Sequence, residues 1–302
     1  MQHDHEVEDH DLGLAHDLKV MNAMIARRRA LKWFAGVGTA AVVAGCGGSE
    51  ADTVSVVSSA TATATPTPTA TATPTPTPTS TTTTGCIADP TETNGPYPAD
   101  GTNTSSGATS NALTTSGIVR SDIRSSFISS STVATGVQLT LTLKVVNVNA
   151  SCAALSGYAV YIWMCDRSGH YSLYTAATES YLRGVQVTDA NGEVTFTMIV
   201  PGCYSGRWPH IHFEVFSSLT AATSGRYAVL VSQLALPSAV CTTVYADTTT
   251  YPSSATNFAR ISLSSDNVFG DNTAAQIAQQ TPTLTGSVAA GYTGSAVIGI
   301  AR

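Results

Sequence analysis

Between Thr61 and Thr84 the chain places 14 threonines and 5 prolines in 24 residues. Such a segment carries too little apolar surface to form a core, and its prolines favour extended backbone, so it reads as a semi-rigid stalk. It divides the sequence into residues 1–46, a spacer over residues 47–84, and a body from Gly85 to Arg302. Those 218 body residues suit one domain. Upstream, Arg27-Arg28-Arg29-Ala30-Leu31-Lys32 leads into an apolar, small-residue run from Trp33 to Gly45 that ends at Cys46. The paired arginines have the pattern of a twin-arginine export signal, and Val43-Ala44-Gly45-Cys46 that of a lipobox whose cysteine is lipidated. The run falls short of the roughly 20 apolar residues of a membrane span. The expectation is an exported protein, periplasmic or at the cell surface, touching the membrane only through a lipid on Cys46. The acidic, histidine-rich stretch before Met21 does not suit a signal, which leaves Met21 or Met24 open as the true start.

With 14 basic against 20 acidic residues the chain lacks the positive surface of a nucleic-acid binder. Only 11% of residues are charged and 43% are hydrophobic, so the body can bury a substantial core. Beyond Cys46 the histidines are His170, His210 and His212, and Lys144 is the sole lysine, which argues against Schiff-base catalysis. Cys86, Cys152, Cys165, Cys203 and Cys241 also remain. In an oxidising compartment most would pair, an odd number leaving at least one free. Cys152 and Cys165, flanking adjacent strands, are the preferred pair.

The body reads as all-β, a sandwich of mostly antiparallel strands with long loops carrying a metal site. Val137, Leu139, Leu141, Leu143 and Val145 alternate with polar residues, a period of two that gives a strand with one apolar face. Tyr158 to Met164 reads as a more buried strand. Val185–Thr188 and Val194–Met198 flank Asp189-Ala190-Asn191-Gly192, whose Asn-Gly pair is the signature of a tight hairpin. Further strands are expected at Pro209–Phe216, Tyr227–Leu236 and Gly286–Ala301, with a weak helical signal at Thr273–Gln280.

The chemistry concentrates in the run from Pro201 to Val215. On a strand, His210 and His212 project from one face, close enough for both imidazoles to reach one metal ion, while Ile211 and Phe213 pack behind. Two ordinary sheet histidines would share that spacing. A three-histidine zinc site would need His170, and no histidine follows His212, so further ligands must be oxygen donors. Tyrosinate with imidazole suits a hard trivalent cation such as iron(III), because phenolate oxygen stabilises the ferric state. Tyr204 lies six residues before His210, and Tyr171, Tyr174 and Tyr181 are candidates for a second tyrosine.

The runs Val160-Tyr161-Ile162-Trp163-Met164-Cys165-Asp166, Gly169-His170-Tyr171-Ser172, Leu182-Arg183-Gly184-Val185-Gln186-Val187-Thr188-Asp189, Pro201-Gly202-Cys203-Tyr204 and Arg207 to His212 together resemble the intradiol ring-cleavage dioxygenases. Glu92-Thr93-Asn94-Gly95-Pro96-Tyr97 and Arg120-Ser121-Asp122-Ile123 resemble signatures of the exported branch of that family. The resemblance covers about Thr91 to Leu236. It implies non-haem iron(III) held by Tyr171, Tyr204, His210 and His212, with Tyr204 leaving when substrate binds. It also implies catalytic roles for Arg207 and, at Ser232-Gln233-Leu234, for Gln233. Gly95, Pro96 and Tyr97 would lie near the substrate ring, Tyr174 and Tyr181 becoming packing residues. The implied reaction opens a catechol-type diol with O2 between its hydroxyl-bearing carbons, to a cis,cis-muconate.

The sequence departs from the family at Met164, where exported relatives often have histidine, and at Trp208, where a small residue or proline is usual. Trp208 either stacks on substrate or plugs the sandwich edge. Arg207 could instead form a salt bridge to Glu214 or another acid. The substrate stays open among catechol, hydroxyquinol, protocatechuate and larger lignin-like phenols, and a homodimer is also left open. The alternative reading is a surface-displayed, non-catalytic sandwich that binds carbohydrate or cell wall.

Overall fold

The computed structural model describes residues 87–104 and 110–302. The signal, Cys46, the stalk and Cys86 lie outside the described residues. Among the described residues no helix is long and apolar enough to cross a membrane.

Strand β1 (Gln138–Asn147) realises the alternation read from the sequence: Leu139, Leu141, Leu143 and Val145 are fully buried while the residues between them are less so. Removing each such side chain from water is worth about 1.5–3 kcal/mol, so the register is set by which face meets the core. Along one edge β1 pairs antiparallel with β2 (Ala153–Ala154) and with β5 (Glu193–Ile199). Along the other it pairs parallel with β9 (Gly291–Ile300), which carries β8 (Thr283–Ser287). The second sheet runs β4 (Arg183–Val187), β3 (Ala159–Trp163), β6 (His210–Phe216), β7 (Leu230–Ala235), all antiparallel. The fold is therefore an all-β sandwich of mostly antiparallel strands.

The main core lies between the sheets, where Leu139, Leu141 and Phe196 of the first meet Val160, Ile162, Ile211, Phe213 and Val215 of the second. The other face of the second sheet is covered as well. There Tyr161 and Trp163 pack with Tyr97, Ala99, Leu113, Tyr171, Leu173 and Tyr204 in a separate cluster. Being buried on both faces, β3 and β6 show continuous burial where β1 alternates.

Three expectations need correction. The Asp189–Gly192 segment is a tight turn, with Gly192 at φ +76° and the Asp189 amide donating to the Glu193 carbonyl at 3.0 Å, but it does not join a hairpin. β4 pairs with β3 and β5 with β1, so the turn carries the chain from one sheet to the other. Asn-Gly chemistry dictates a local reversal, whereas β1 offers β5 a seven-residue register that decides its partner. The C-terminal stretch is the hairpin β8–β9 rather than a single strand. Third, Cys152 is disulfide-bonded, but not to Cys165. Cys165 is a buried free thiol donating to the Gly202 carbonyl at 3.4 Å, and Cys203 and Cys241 are also free. The helical signal becomes α3 (Ala274–Gln279), started by a Thr273/Gln276 capping box. Two helices precede it, α1 (Ser238–Tyr245) and α2 (Ser254–Phe258). The buried stripe of α1, Val240, Cys241, Val244 and Tyr245, is the signal that could have revealed it.

Candidate active site and metal centre

β6 presents His210 and His212 on the face away from the main core, with Ile211 and Phe213 fully buried behind them. The two Nε2 atoms lie 3.1 Å apart. Tyr171, from the loop after β3, brings its Oη to 3.3 Å from His210 Nε2 and 3.2 Å from His212 Nε2. Tyr204, from the segment leading into β6, places its Oη 3.2 Å from His210 Nε2. Tyr171 Oη and the two Nε2 atoms are mutually 3.1–3.3 Å apart. A single point therefore lies about 2 Å from all three, the length of a metal bond to nitrogen or oxygen. Among the described residues no group of three or more His, Cys, Asp or Glu could hold a metal, so this tyrosine–histidine quartet is a donor set of a different kind.

The electrostatics fit a hard cation. Burial, and after it the Arg207 charge, push His210 down to about 3, and burial with His210 beside it holds His212 well below the ordinary range. Both rings are thus neutral. The Nδ1 of His210 lies 2.5 Å from the Trp208 carbonyl, which fixes Nε2 as its lone-pair donor. His212 is stacked on Trp163 at 4.8 Å and 6°. Burial pushes the Tyr204 phenol up to about 12 and that of Tyr171 well above its usual value. Two neutral imidazoles and two phenols that ionise only beside a strong positive charge suit a multiply charged metal ion.

Arg207, 1% exposed, sits beside the quartet. Its Nη2 donates to Gln233 Oε1 at 2.7 Å, and Gln233 Nε2 donates in turn to the Thr93 carbonyl at 2.9 Å. The acid that pairs with Arg207 is neither Glu214 nor any residue singled out from the sequence. It is Asp266, 3.0 Å from Arg207 Nε, which also accepts from the amides of Trp208, Val268 and Phe269. Nothing in the loop sequence around Asp266 marks it, because its partner lies 59 residues away.

The segment after Thr93 covers the quartet. Gly95 has φ +72°, and a Cβ there would stand 3.2 Å from His212 Cε1, so both conformation and space call for glycine. The Pro96 carbonyl accepts from Asn103 Nδ2 at 2.6 Å, and the Tyr97 ring packs 5.0 Å from Tyr171 and 5.1 Å from Tyr174. The other tyrosine candidates point elsewhere. Tyr174 Oη accepts from the Ala99 amide and donates to Asn103, while Tyr181 Oη donates to Asp166. The exposed His170 lies 3.9 Å from Asp166. Trp208 is placed in an apolar cluster with Ala235, Val268 and Phe269, its ring 4.8 Å from Phe258 and its Nε1 donating to the Leu236 carbonyl. That is the plug rather than the stacking surface.

Residues 122–235, which include Tyr171, Tyr204, Arg207, His210, His212 and Gln233, match the family model described as Dioxygenase (Dioxygenase_C). Over those residues the chain is similar to that dioxygenase family. Among solved structures the chain is similar to the intradiol ring-cleavage dioxygenase from Tetranychus urticae, with 25% identity over 61% of this chain and 87% of that one and a TM-score of 0.47. It is also similar to the dioxygenase domain of a dioxygenase carbohydrate-binding protein fusion from Streptomyces sp. SirexAA-E, with 23% identity, 71% and 99% coverage and a TM-score of 0.42. A third is 3-chlorocatechol 1,2-dioxygenase from Rhodococcus opacus 1CP, with 15% identity, 71% and 72% coverage and a TM-score of 0.43. No curated protein matches. Asp266 and the Gly95–Tyr97 segment lie outside the matched residues.

Proposed function

We propose that the chain is a non-haem iron(III) dioxygenase that opens a catechol-type ring with O2 between the two hydroxyl-bearing carbons, giving a cis,cis-muconate-type product. The observation that carries this reading is the convergence of Tyr171 Oη, Tyr204 Oη, His210 Nε2 and His212 Nε2 at contacts of 3.1–3.3 Å. When bound there, ferric iron supplies a Lewis acid and a template for the diol.

The protein's own groups account for the remaining requirements. Tyr204 is only partly buried, whereas Tyr171 is 2% exposed, so of the two phenols that would hold the ion Tyr204 is the freer to move. Away from the ion its phenolate would take one proton from the incoming diol, in keeping with its preference for the neutral form. Arg207, held by Asp266 and Gln233, is a fixed cation facing the negative charge that develops on the ring. Gly95 lies against His212 and the Tyr97 ring against Tyr171, so the Gly95–Tyr97 segment stands beside the incoming diol. The disulfide at Cys152 supports an oxidising compartment, and with it export. Oxygen uptake by the iron-loaded full chain with catechol tests the reading. Equimolar consumption with release of the ring-opened diacid is expected, and no uptake, or cleavage beside the diol rather than between its hydroxyls, contradicts it.

A further inference from the structure

Two guanidinium groups are buried near the quartet, and the reaction above uses only Arg207. The second, Arg183 of β4, is 1% exposed, and its five N–H donors all have acceptors. Nε donates to Ser172 Oγ at 3.0 Å. Nη1 donates to the Pro98 carbonyl at 3.0 Å and to Tyr161 Oη at 3.1 Å. Nη2 donates to the Tyr97 carbonyl at 2.9 Å and the Ser172 carbonyl at 2.7 Å. None of these acceptors is a carboxylate. A buried charge without an ion-pair partner is a poor route to stability, and an apolar side chain of similar size would serve packing as well. A planar fork with five fixed donors does hold separate segments in one defined relation.

The two segments it holds adjoin the quartet. Tyr97 and Pro98 belong to the covering strap, and Ser172 directly follows the ligand Tyr171. The Tyr97 and Tyr171 rings face each other at 5.0 Å across that join. Arg183 is also the register partner of Trp163, which stacks on His212. We propose that Arg183 is a positioning residue whose guanidinium fork seats the Tyr97–Pro98 strap on the Ser172 segment, and thereby fixes the packing of the Tyr97 ring on Tyr171 and the aim of the Tyr171 phenol. This inference rests on the iron-dioxygenase reading. Lysine keeps the charge but offers three donors from one nitrogen, so it cannot span both segments.

The test loads full-length wild type, Arg183→Lys and Tyr161→Phe with ferric iron and compares iron content, the visible tyrosinate-to-iron band, and KM against kcat for catechol. Arg183→Lys is expected to retain iron, to displace the band, and to raise KM about tenfold with a smaller change in kcat, the scale of a lost hydrogen bond. Tyr161→Phe removes one acceptor of the fork and the hydroxyl that donates to Pro98 at 2.7 Å, and is expected to move the same readouts less. A role confined to stability would lower the melting temperature and leave band and KM in place. Folded, iron-loaded Arg183→Lys with the wild-type band and KM overturns the proposal. Should that variant not fold, Tyr161→Phe decides it by the same readouts. A wild type with neither band nor turnover overturns the iron reading itself, and this inference falls with it.

Discussion

On the inner face of the β4-β3-β6-β7 sheet, Val160, Ile162, Ile211, Phe213 and Val215 meet the other sheet through apolar surface alone. On the outer face of the same strands, Tyr161, Trp163, His210 and His212 meet phenols, a carbonyl and an aromatic ring at fixed distances. One strand thus serves two economies. Inner positions are constrained by volume and tolerate exchange of one apolar side chain for another of similar size. Outer positions are constrained by direction as well as volume, because the hydrogen bonds of Tyr161 and His210 lie in a buried setting where losing a partner costs the full desolvation of the group left behind.

Substitutions should separate the two faces. The largest effect belongs to the outer face: Tyr171→Phe or His212→Ala is expected to weaken iron retention more than about a hundredfold, beyond the range for losing a group that merely supports a ligand. The iron-free fold should persist, as checked by metal analysis after gel filtration and by circular dichroism. Loss of folding together with iron would merge the two faces. Next, Asp266→Asn leaves Arg207 without its counter-charge. A fall in kcat of about 10- to 100-fold with iron still bound is expected, the worth of a charged hydrogen bond, and steady-state kinetics with metal analysis checks it.

An effect smaller per pH unit comes from His210, whose folded-state value near 3 lies below the ordinary 6.5. Between those values the unfolded chain holds the extra proton, so iron-free protein loses stability as pH falls from about 6.5 towards 3, by at most about 1.4 kcal/mol per pH unit from this group. His210→Gln should flatten that slope in urea titrations, and an unchanged slope would contradict the burial argument. The smallest effect is on the inner face. Ile162→Val should cost about 0.5–1.5 kcal/mol in denaturant unfolding and leave iron binding and KM unchanged.

The same division explains what could be read from the sequence. The inner face announces itself through periodicity: Leu139, Leu141 and Leu143 specify β1, and the β6 run places two histidines on one side. The quartet was legible because its members stand in recognisable runs. Asp266 and the five-acceptor environment of Arg183 were not, since both depend on loops brought together from distant positions. The Asp189–Gly192 turn misled because its chemistry is local while strand pairing is not, and Cys152 misled for the same reason.

The most direct test of the outer face is the visible spectrum of the full chain reconstituted with ferric iron, with metal analysis, before and after anaerobic addition of catechol. Stoichiometric iron, a broad reddish charge-transfer band and its shift to longer wavelength with catechol are expected from tyrosinate ligation by Tyr171 and Tyr204. A protein that stays colourless and iron-free after reconstitution would contradict the assignment of these four residues to a metal.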